Sequence, residues 1–164
     1  MNWLLTLEQV AQAPPREVGG KGLALALMAA AGLSVPPAMV LSAEAYREYV
    51  RATGLRERIL LELNRKRFED MRWEEMWDAA LRIRSMFLST PMPAGMQGYI
   101  HGGVAGAFCE VPVAVRSSAP GEDAAGTSYA GLHESYVNVR GAEAIVEHVR
   151  LVWASLWSDG ALLY

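Results

Sequence analysis

The sequence predicts an α/β or α+β domain, in which short strands and helices share one hydrophobic core. Apolar residues recur at helical spacing from Asp70 to Leu88, whereas Val111 to Val115 is a β-branched apolar run of the kind found in central strands. Two glycine-rich connections, at 19–22 and 121–131, separate segments of different character. With 164 residues, 52% of them hydrophobic, the chain suffices for one compact core, so residues 1–164 are expected to form a single domain.

The first half of the chain is expected to contain two strands and two helices before a polar stretch. Pro14 and Pro15 break the chain ahead of the first glycine-rich connection. Ser42 is a candidate helix cap, because its hydroxyl can accept a hydrogen bond from a first-turn N–H group. The expected elements are a strand at Trp3–Leu5, a helix at Leu23–Ala31 ended by Gly32, a strand at Val35–Leu41 and a helix at Ala43–Ala52.

The second half begins with the clearest amphipathic helix, Asp70 to Leu88, which Pro91 and Pro93 end. Met96 to Glu110 is apolar but rich in glycine, which weakens helices, so we expect a loop with a short helix there. The remaining expected elements are strands at Val111–Val115 and Ser135–Val139 and a closing helix that contains Ile145, Val149, Val152, Trp153 and Leu156.

Charge and cysteine content exclude several classes of function. The chain has 15 basic and 18 acidic residues, a formal net charge of -3, so it has no electrostatic footprint for nucleic acid or an anionic membrane. Its one cysteine, Cys109, excludes an internal disulfide and a cysteine zinc site, which is typical of the reducing cytoplasm. The N-terminus lacks a basic region, and the longest apolar stretch, Leu23 to Ala31, is too short to span a bilayer. We therefore expect a cytoplasmic protein.

The first candidate site is Gly19-Gly20-Lys21-Gly22, directly before an expected helix. Backbone N–H groups at a helix start, the positive end of the helix dipole and a lysine ammonium can together face a phosphate. The motif is not a P-loop, because Gly22 and not Ser or Thr follows Lys21. Taken alone, the motif is a weak signal that more often marks a tight turn before a helix with a solvated lysine.

The second candidate is Arg116, at the end of the expected strand Val111–Val115. A sheet holds such a guanidinium in place, and its planar fork can grip phosphate oxygens in a bidentate manner. The alternative is a structural ion pair with Glu122 or Asp123. Hydroxyls and glycines that could cover a ligand, or form an ordinary surface loop, follow in the sequence: Ser117, Ser118, Gly121, Gly126, Thr127, Ser128 and Gly131.

No metal site is predicted. His101, His133 and His148 are scattered without the spacing of zinc ligands. Adjacent Glu122 and Asp123 could hold magnesium, but such pairs on loops more often form a solvated acidic patch. We therefore expect no metal-binding residues.

Three blocks of the sequence resemble the N-terminal nucleotide-binding region of the phosphoenolpyruvate synthase and pyruvate phosphate dikinase family, which includes rifampicin phosphotransferases. The first block is Val18 to Lys21, followed by Pro36-Pro37. The second is Val113 to Val139, with "VRSSA", "ED", "SYAG" and "ESYVNV", and the third is "VWASL" followed by Asp159. The blocks extend over almost the whole chain, and the middle block is long and specific.

The resemblance implies the N-terminal lobe of an ATP-grasp fold, with a mixed sheet and flanking helices, that binds ATP. It implies that Lys21 and Gly20 contact the ATP phosphates and that Arg116 is the catalytic residue, holding the transferring phosphoryl group. It also implies that the loop with Thr127, Ser128 and Gly131 closes over the phosphates. In the family, a second lobe brings the magnesium ligands and a phosphohistidine domain carries the phosphate; both are expected to be absent here.

Two functions remain open at this point. In one, the chain is the ATP-binding half of a pyruvate, water dikinase-type phosphotransferase; in the other, it is a non-catalytic relic or a regulatory or interaction module. Leu132 and Gly160, where the family commonly has glutamine and arginine, favour the second function. A lobe cut from a clamp exposes apolar surface, so we expect a homodimer or a separately encoded second lobe as partner.

Overall fold

The computed structural model describes residues 2–109, 111–119, 134–158 and 160. Among them are seven α-helices and four strands, which confirms the α/β class. In chain order they are β1 (Leu4–Thr6), α1 (Leu7–Ala11), α2 (Pro15–Ala30), β2 (Met39–Leu41), α3 (Ala43–Ala52), α4 (Leu55–Leu63), a 3₁₀ helix (Phe68–Asp70), α5 (Trp73–Ser89), α6 (Ala94–Phe108), β3 (Val113–Arg116), β4 (Ser135–Val139) and α7 (Ala142–Ser155).

The described residues fall into two compact units. The first contains residues 2–48 together with 118 and 119, and the second contains 49–117 with the described residues from 134 onward. The expectation of a single domain over residues 1–164 stays a prediction. None of the helices described is both long and apolar enough to cross a membrane.

In the first unit, strands β1 and β2 pair antiparallel, and helices α1 and α2 pack beside them. The register places Leu4 opposite Leu41 and Thr6 opposite Met39. The core of this unit is small and aliphatic and consists of Val10, Val18, Ala26 and Val40. Each core residue comes from α1, α2 or β2. The glycine-rich connection at 19–22 is part of α2, so the packing of α2 on this sheet fixes its position.

Two sequence-based expectations for the first unit are wrong. Helix α2 begins at Pro15 instead of Leu23, because proline suits the first helical position, where its missing N–H is not needed. Ser42 does not cap α3 with its side chain: the hydroxyl is buried and has no hydrogen-bond partner among the described residues. The start of α3 is held instead by the Ala45 N–H, which donates to the Ser42 carbonyl at 3.0 Å.

The core of the second unit is aromatic and joins α3, α5 and α7. The ring of Tyr49 lies 5.1 Å from that of Trp153 and 5.9 Å from that of Phe87. The Tyr49 hydroxyl donates to the Thr90 carbonyl at 2.8 Å. Arg150 of α7 also donates to carbonyls at the C-terminal end of α5, at 2.7 Å to Leu88. These bonds satisfy carbonyls that a helix end leaves without partners.

Strands β3 and β4 form the second antiparallel pair, and their register determines which residue of β4 lies opposite the end of β3. Arg116 lies opposite Ser135, and Val113 lies opposite Val139. The register shifts by one residue between these pairs, and Asn138 in β4 adopts a φ of +58°. Asparagine tolerates this left-handed conformation better than most residues, so it accommodates the bulge.

Helix α6 corrects the expectation of a loop with a short helix over Met96 to Glu110. Ala94–Phe108 forms one continuous helix of 15 residues. Met96, Ile100 and Val104, spaced four residues apart, are buried along one face. Packing of this apolar face outweighs the low helix propensity of the glycines, which is worth about 1 kcal/mol for each residue.

Glycine replacement in α6 is expected to stabilise the protein. Cβ atoms at Gly98 and Gly102 would meet nothing within 4 Å, and alanine loses less entropy on folding. Each of Gly98→Ala and Gly102→Ala should raise the free energy of unfolding by about 0.5–1 kcal/mol, measured by urea titration. The control is Gly54→Ala, which also enters open space but at a φ of +68° and should destabilise. A loss of stability in both α6 variants would contradict this helix.

Candidate functional site

Helix α2 is interrupted at Gly19, the first residue of the predicted phosphate motif. Gly19 has a φ of +70° and a ψ of 168°, a combination that is essentially restricted to glycine. A Cβ atom at this position would lie 1.6 Å from the backbone oxygen of Ser118. The residue must therefore be glycine on two independent grounds, its backbone conformation and the approach of Ser118.

The Ser118 hydroxyl connects the two sides of this interruption. It accepts a hydrogen bond from the Gly22 N–H at 2.9 Å and donates one to the Val18 carbonyl at 2.9 Å. These bonds span 96 and 100 residues of sequence. Ser118 and the "GGKG" motif, which are far apart in the chain, are thus brought together within the first unit.

Lys21 lies in the first turn of α2 after the interruption. Its side chain is exposed, Gly20 is half-buried, and Gly22 is buried. A Cβ atom at Gly22 would lie 3.1 Å from Val40, so this glycine allows the turn to pack closely on β2. The predicted tight turn at a helix start is therefore present, and Lys21 carries its charge on the solvent side.

Arg116 is the last residue of β3, in the second unit. Its side chain is exposed, and among the described residues it forms no hydrogen bond or ion pair. Two possible ion-pair partners named from the sequence, Glu122 and Asp123, lie outside the described residues. The guanidinium is therefore held by the sheet at its backbone and presented to solvent.

The strand opposite Arg116 is anchored by a polar cluster that sequence reasoning missed. Glu134 accepts a hydrogen bond from Arg84 at 2.6 Å and another from the Tyr136 hydroxyl, and its N–H donates to the Ser155 hydroxyl at 3.1 Å. Burial, followed by the bond to Glu134, raises the pKa of Tyr136 to about 12. The cluster fixes the start of β4 beside Ser135, the register partner of Arg116.

The position of Glu134, directly before the strand Ser135–Val139, was the one signal of this cluster in the sequence. Its partners come from α5 and α7, 50 and 21 residues away. Only the tertiary fold brings them together, so sequence spacing could not have identified them.

Three other predicted site residues, Thr127, Ser128 and Gly131, lie outside the described residues, as do Leu132 and His133. The remaining histidines do not form a metal centre. The His148 ring contacts the Tyr136 ring edge-on. Its Nδ1 atom lies 2.7 Å from the Ala144 carbonyl oxygen. His101 lines a separate cavity of about 830 Å³ in the second unit, near the first turn of α7. Among the described residues, no three His, Cys, Asp or Glu side chains form a group that could hold a metal ion.

Comparison with known proteins places this geometry in a family. Residues 15–164 match the family described as "Pyruvate phosphate dikinase, AMP/ATP-binding domain". Phosphoenolpyruvate synthase of Aeropyrum pernix is 40% identical, over 98% of this chain and 20% of the relative. The probable phosphoenolpyruvate synthases of Archaeoglobus fulgidus and Methanocaldococcus jannaschii are 38% and 34% identical, over 90% and 100% of this chain.

The chain spans only 20% and 14% of the length of the Aeropyrum and Methanocaldococcus relatives. The family match begins at Pro15, the first residue of α2, and continues to residue 164. It therefore includes the Gly19 interruption, Lys21, Arg116 and Ser118. The chain belongs to the pyruvate phosphate dikinase AMP/ATP-binding domain family.

Proposed function

We propose that this chain binds ATP through its phosphate groups at the Gly19–Gly22 turn. The observation that carries the proposal is the turn itself, which Ser118 holds in a glycine-only conformation at the start of a helical segment. First-turn N–H groups and the helix dipole favour an anion there, and Lys21 adds a full positive charge. The family match to an AMP/ATP-binding domain supports the nucleotide as the anion.

Arg116 is proposed to hold the terminal phosphoryl group. Its exposed guanidinium at the end of β3 can form a bidentate contact with phosphate oxygens. Charge stabilisation of this kind is the main demand that phosphoryl transfer makes on a protein. The resemblance adds Gly20, Thr127, Ser128 and Gly131 to the proposed phosphate contacts.

We propose that the chain is the ATP-grasp lobe of a phosphotransferase of the pyruvate, water dikinase type, acting in the cytoplasm. The relatives named phosphoenolpyruvate synthase support this class, and the free Cys109 is in keeping with a reducing compartment. The resemblance assigns the magnesium ligands to a second lobe, wherever that lobe accompanies this chain.

The phosphate-directed binding is tested by calorimetric titration with ATP, ADP, AMP and adenosine. If the phosphates carry the affinity, it should fall at each step of the series, and ATP and GTP should bind about equally. If the base carried the affinity, the pattern would be the opposite: adenosine would retain most of the affinity of ATP, and GTP would bind poorly. That pattern would overturn the proposal.

An exposed apolar stripe on α5 is proposed to join two copies of the chain. Trp73, Trp77 and Leu81, spaced four residues apart, are 58%, 47% and 50% exposed, so these tryptophans lie outside the described core. Exposed patches of large apolar residues commonly mark protein contacts. Light scattering should show a dimer that Trp77→Glu converts to a monomer. A wild-type protein that stays monomeric at high concentration would contradict the dimer, and binding to a separately encoded second lobe would then be tested.

A further inference from the structure

The Ser118 hydroxyl lies between Val18 and Gly22, on both sides of the Gly19 interruption. We propose that Ser118 is a positioning residue for the phosphate-binding turn, acting on nucleotide affinity through Lys21 and not by touching the nucleotide. This inference rests on the proposed function, because it concerns the same site. It gives Ser118 a role different from the covering of a ligand for which the sequence offered its hydroxyl.

The helical segment after Gly19 begins without a capping side chain of its own. A helix N-cap residue commonly accepts a hydrogen bond with its side chain from the third following N–H group. Gly19 stands at that position and has no side chain. Ser118 supplies the missing oxygen from a distant segment, since its hydroxyl accepts the Gly22 N–H at 2.9 Å. It therefore caps the segment in place of Gly19.

The Ser118 hydroxyl has no proton left to donate to a ligand. A serine hydroxyl has one proton to donate, and Ser118 donates it to the Val18 carbonyl at 2.9 Å. A phosphate oxygen needs a donor, which this hydroxyl no longer provides. The Ser118 hydroxyl thus bonds to backbone groups on both sides of Gly19. This arrangement points to positioning and not to ligand contact.

Lys21 lies between the two backbone groups that bond to the Ser118 hydroxyl. Lys21 directly precedes Gly22, whose N–H donates to the Ser118 hydroxyl, and it lies three residues after Val18, whose carbonyl accepts from the same hydroxyl. The backbone direction at Lys21 is therefore set by Ser118 on both sides. A loosened turn leaves the charge of Lys21 in place but spreads it over more conformations, which lowers affinity for a phosphate.

The test compares Ser118→Ala, which removes the hydroxyl, with Ser118→Thr, which keeps it. The matched control is Ser85→Ala, which removes a hydroxyl that donates to the Leu81 carbonyl of its own helix. Two quantities are measured: amide hydrogen exchange at Gly22 without ligand, and ATP affinity by calorimetry. Each is repeated in a Lys21→Ala background.

Ser118→Ala should speed Gly22 exchange at least about fivefold and weaken ATP binding about five- to tenfold. Ser118→Thr and Ser85→Ala should stay within about twofold of wild type. In the Lys21→Ala background, the effect of Ser118→Ala on affinity should shrink to less than about twofold, because coupled residues are not additive. A merely structural serine would leave the two effects additive.

The outcomes separate this inference from the proposed function. If wild type does not bind ATP, the proposed function and the positioning role fall together. If wild type binds ATP but Ser118→Ala binds it equally well, or additively with Lys21→Ala, only the positioning role is overturned. Wild-type Gly22 exchange gives a check that needs no variant to fold: an unprotected Gly22 amide would overturn the inference directly.

Discussion

Gly19→Ala is expected to destabilise the protein by about 2–6 kcal/mol. The backbone conformation at Gly19 costs about 1–3 kcal/mol for a residue with a side chain. The new methyl group would also lie 1.6 Å from the Ser118 carbonyl oxygen, and relieving such an overlap in a packed site costs a similar amount. A loss of this size approaches the whole stability of many domains, so much of the variant should be unfolded.

Urea unfolding measures this effect, and Gly32→Ala is the matched control. Gly32 has a φ of +78°, but a Cβ atom there would meet nothing within 4 Å, so its replacement should cost only about 1–2 kcal/mol. The difference between the two variants isolates the contact with Ser118. Equal losses at Gly19 and Gly32 would show that Ser118 does not approach the turn.

Removing Lys21 or Arg116 should be the next largest effect, this time on nucleotide affinity. Each side chain offers a charge-assisted contact worth about 1.5–3 kcal/mol, which corresponds to roughly 10- to 150-fold in affinity. Both side chains are exposed, so Lys21→Ala and Arg116→Ala should leave the free energy of unfolding nearly unchanged. Binding and stability are therefore expected to separate in these two variants, in contrast to Gly19→Ala.

Calorimetric titration with ATP checks this expectation, with Arg56→Ala as the control. Arg56 is an exposed arginine whose nearest acidic partner, Glu57, lies 3.9 Å away, and its removal changes the net charge by the same amount. A general effect of charge would weaken binding in all three variants. Tight ATP binding that survives in both Lys21→Ala and Arg116→Ala would place the site elsewhere.

Sequence patterns predicted the regular elements where local signals were strong. Strand Ser135–Val139 and helix Ala43–Ala52 have the predicted limits, since alternation and amphipathic spacing decide such segments. Helix α6 was missed because its glycines lower the helix propensity of the sequence. The burial of Met96 and Ile100, which stabilises the helix, depends on the tertiary fold.

The arrangement of the candidate site could be predicted only in part. The residue types at Gly19–Gly22 and Arg116 are compatible with phosphate binding, and the assignment to ATP came from the resemblance. The sequence could not show that Ser118 caps the Gly22 N–H, because the two residues are 96 positions apart. Nor could it show that Arg84 and Ser155 hold Glu134, since each lies on a different helix. Contacts between distant segments depend on the tertiary fold, which local patterns do not encode.

The central claim is that the nucleotide is held by its phosphates, and phosphorus NMR of ATP tests it most directly. The phosphorus resonances should shift or broaden on addition of wild-type protein, while the adenine protons change little. Both responses should be absent with a Lys21→Ala, Arg116→Ala double variant that is folded by circular dichroism. Adenine protons that shift while the phosphorus signals stay unchanged, with the double variant behaving as wild type, would contradict the account.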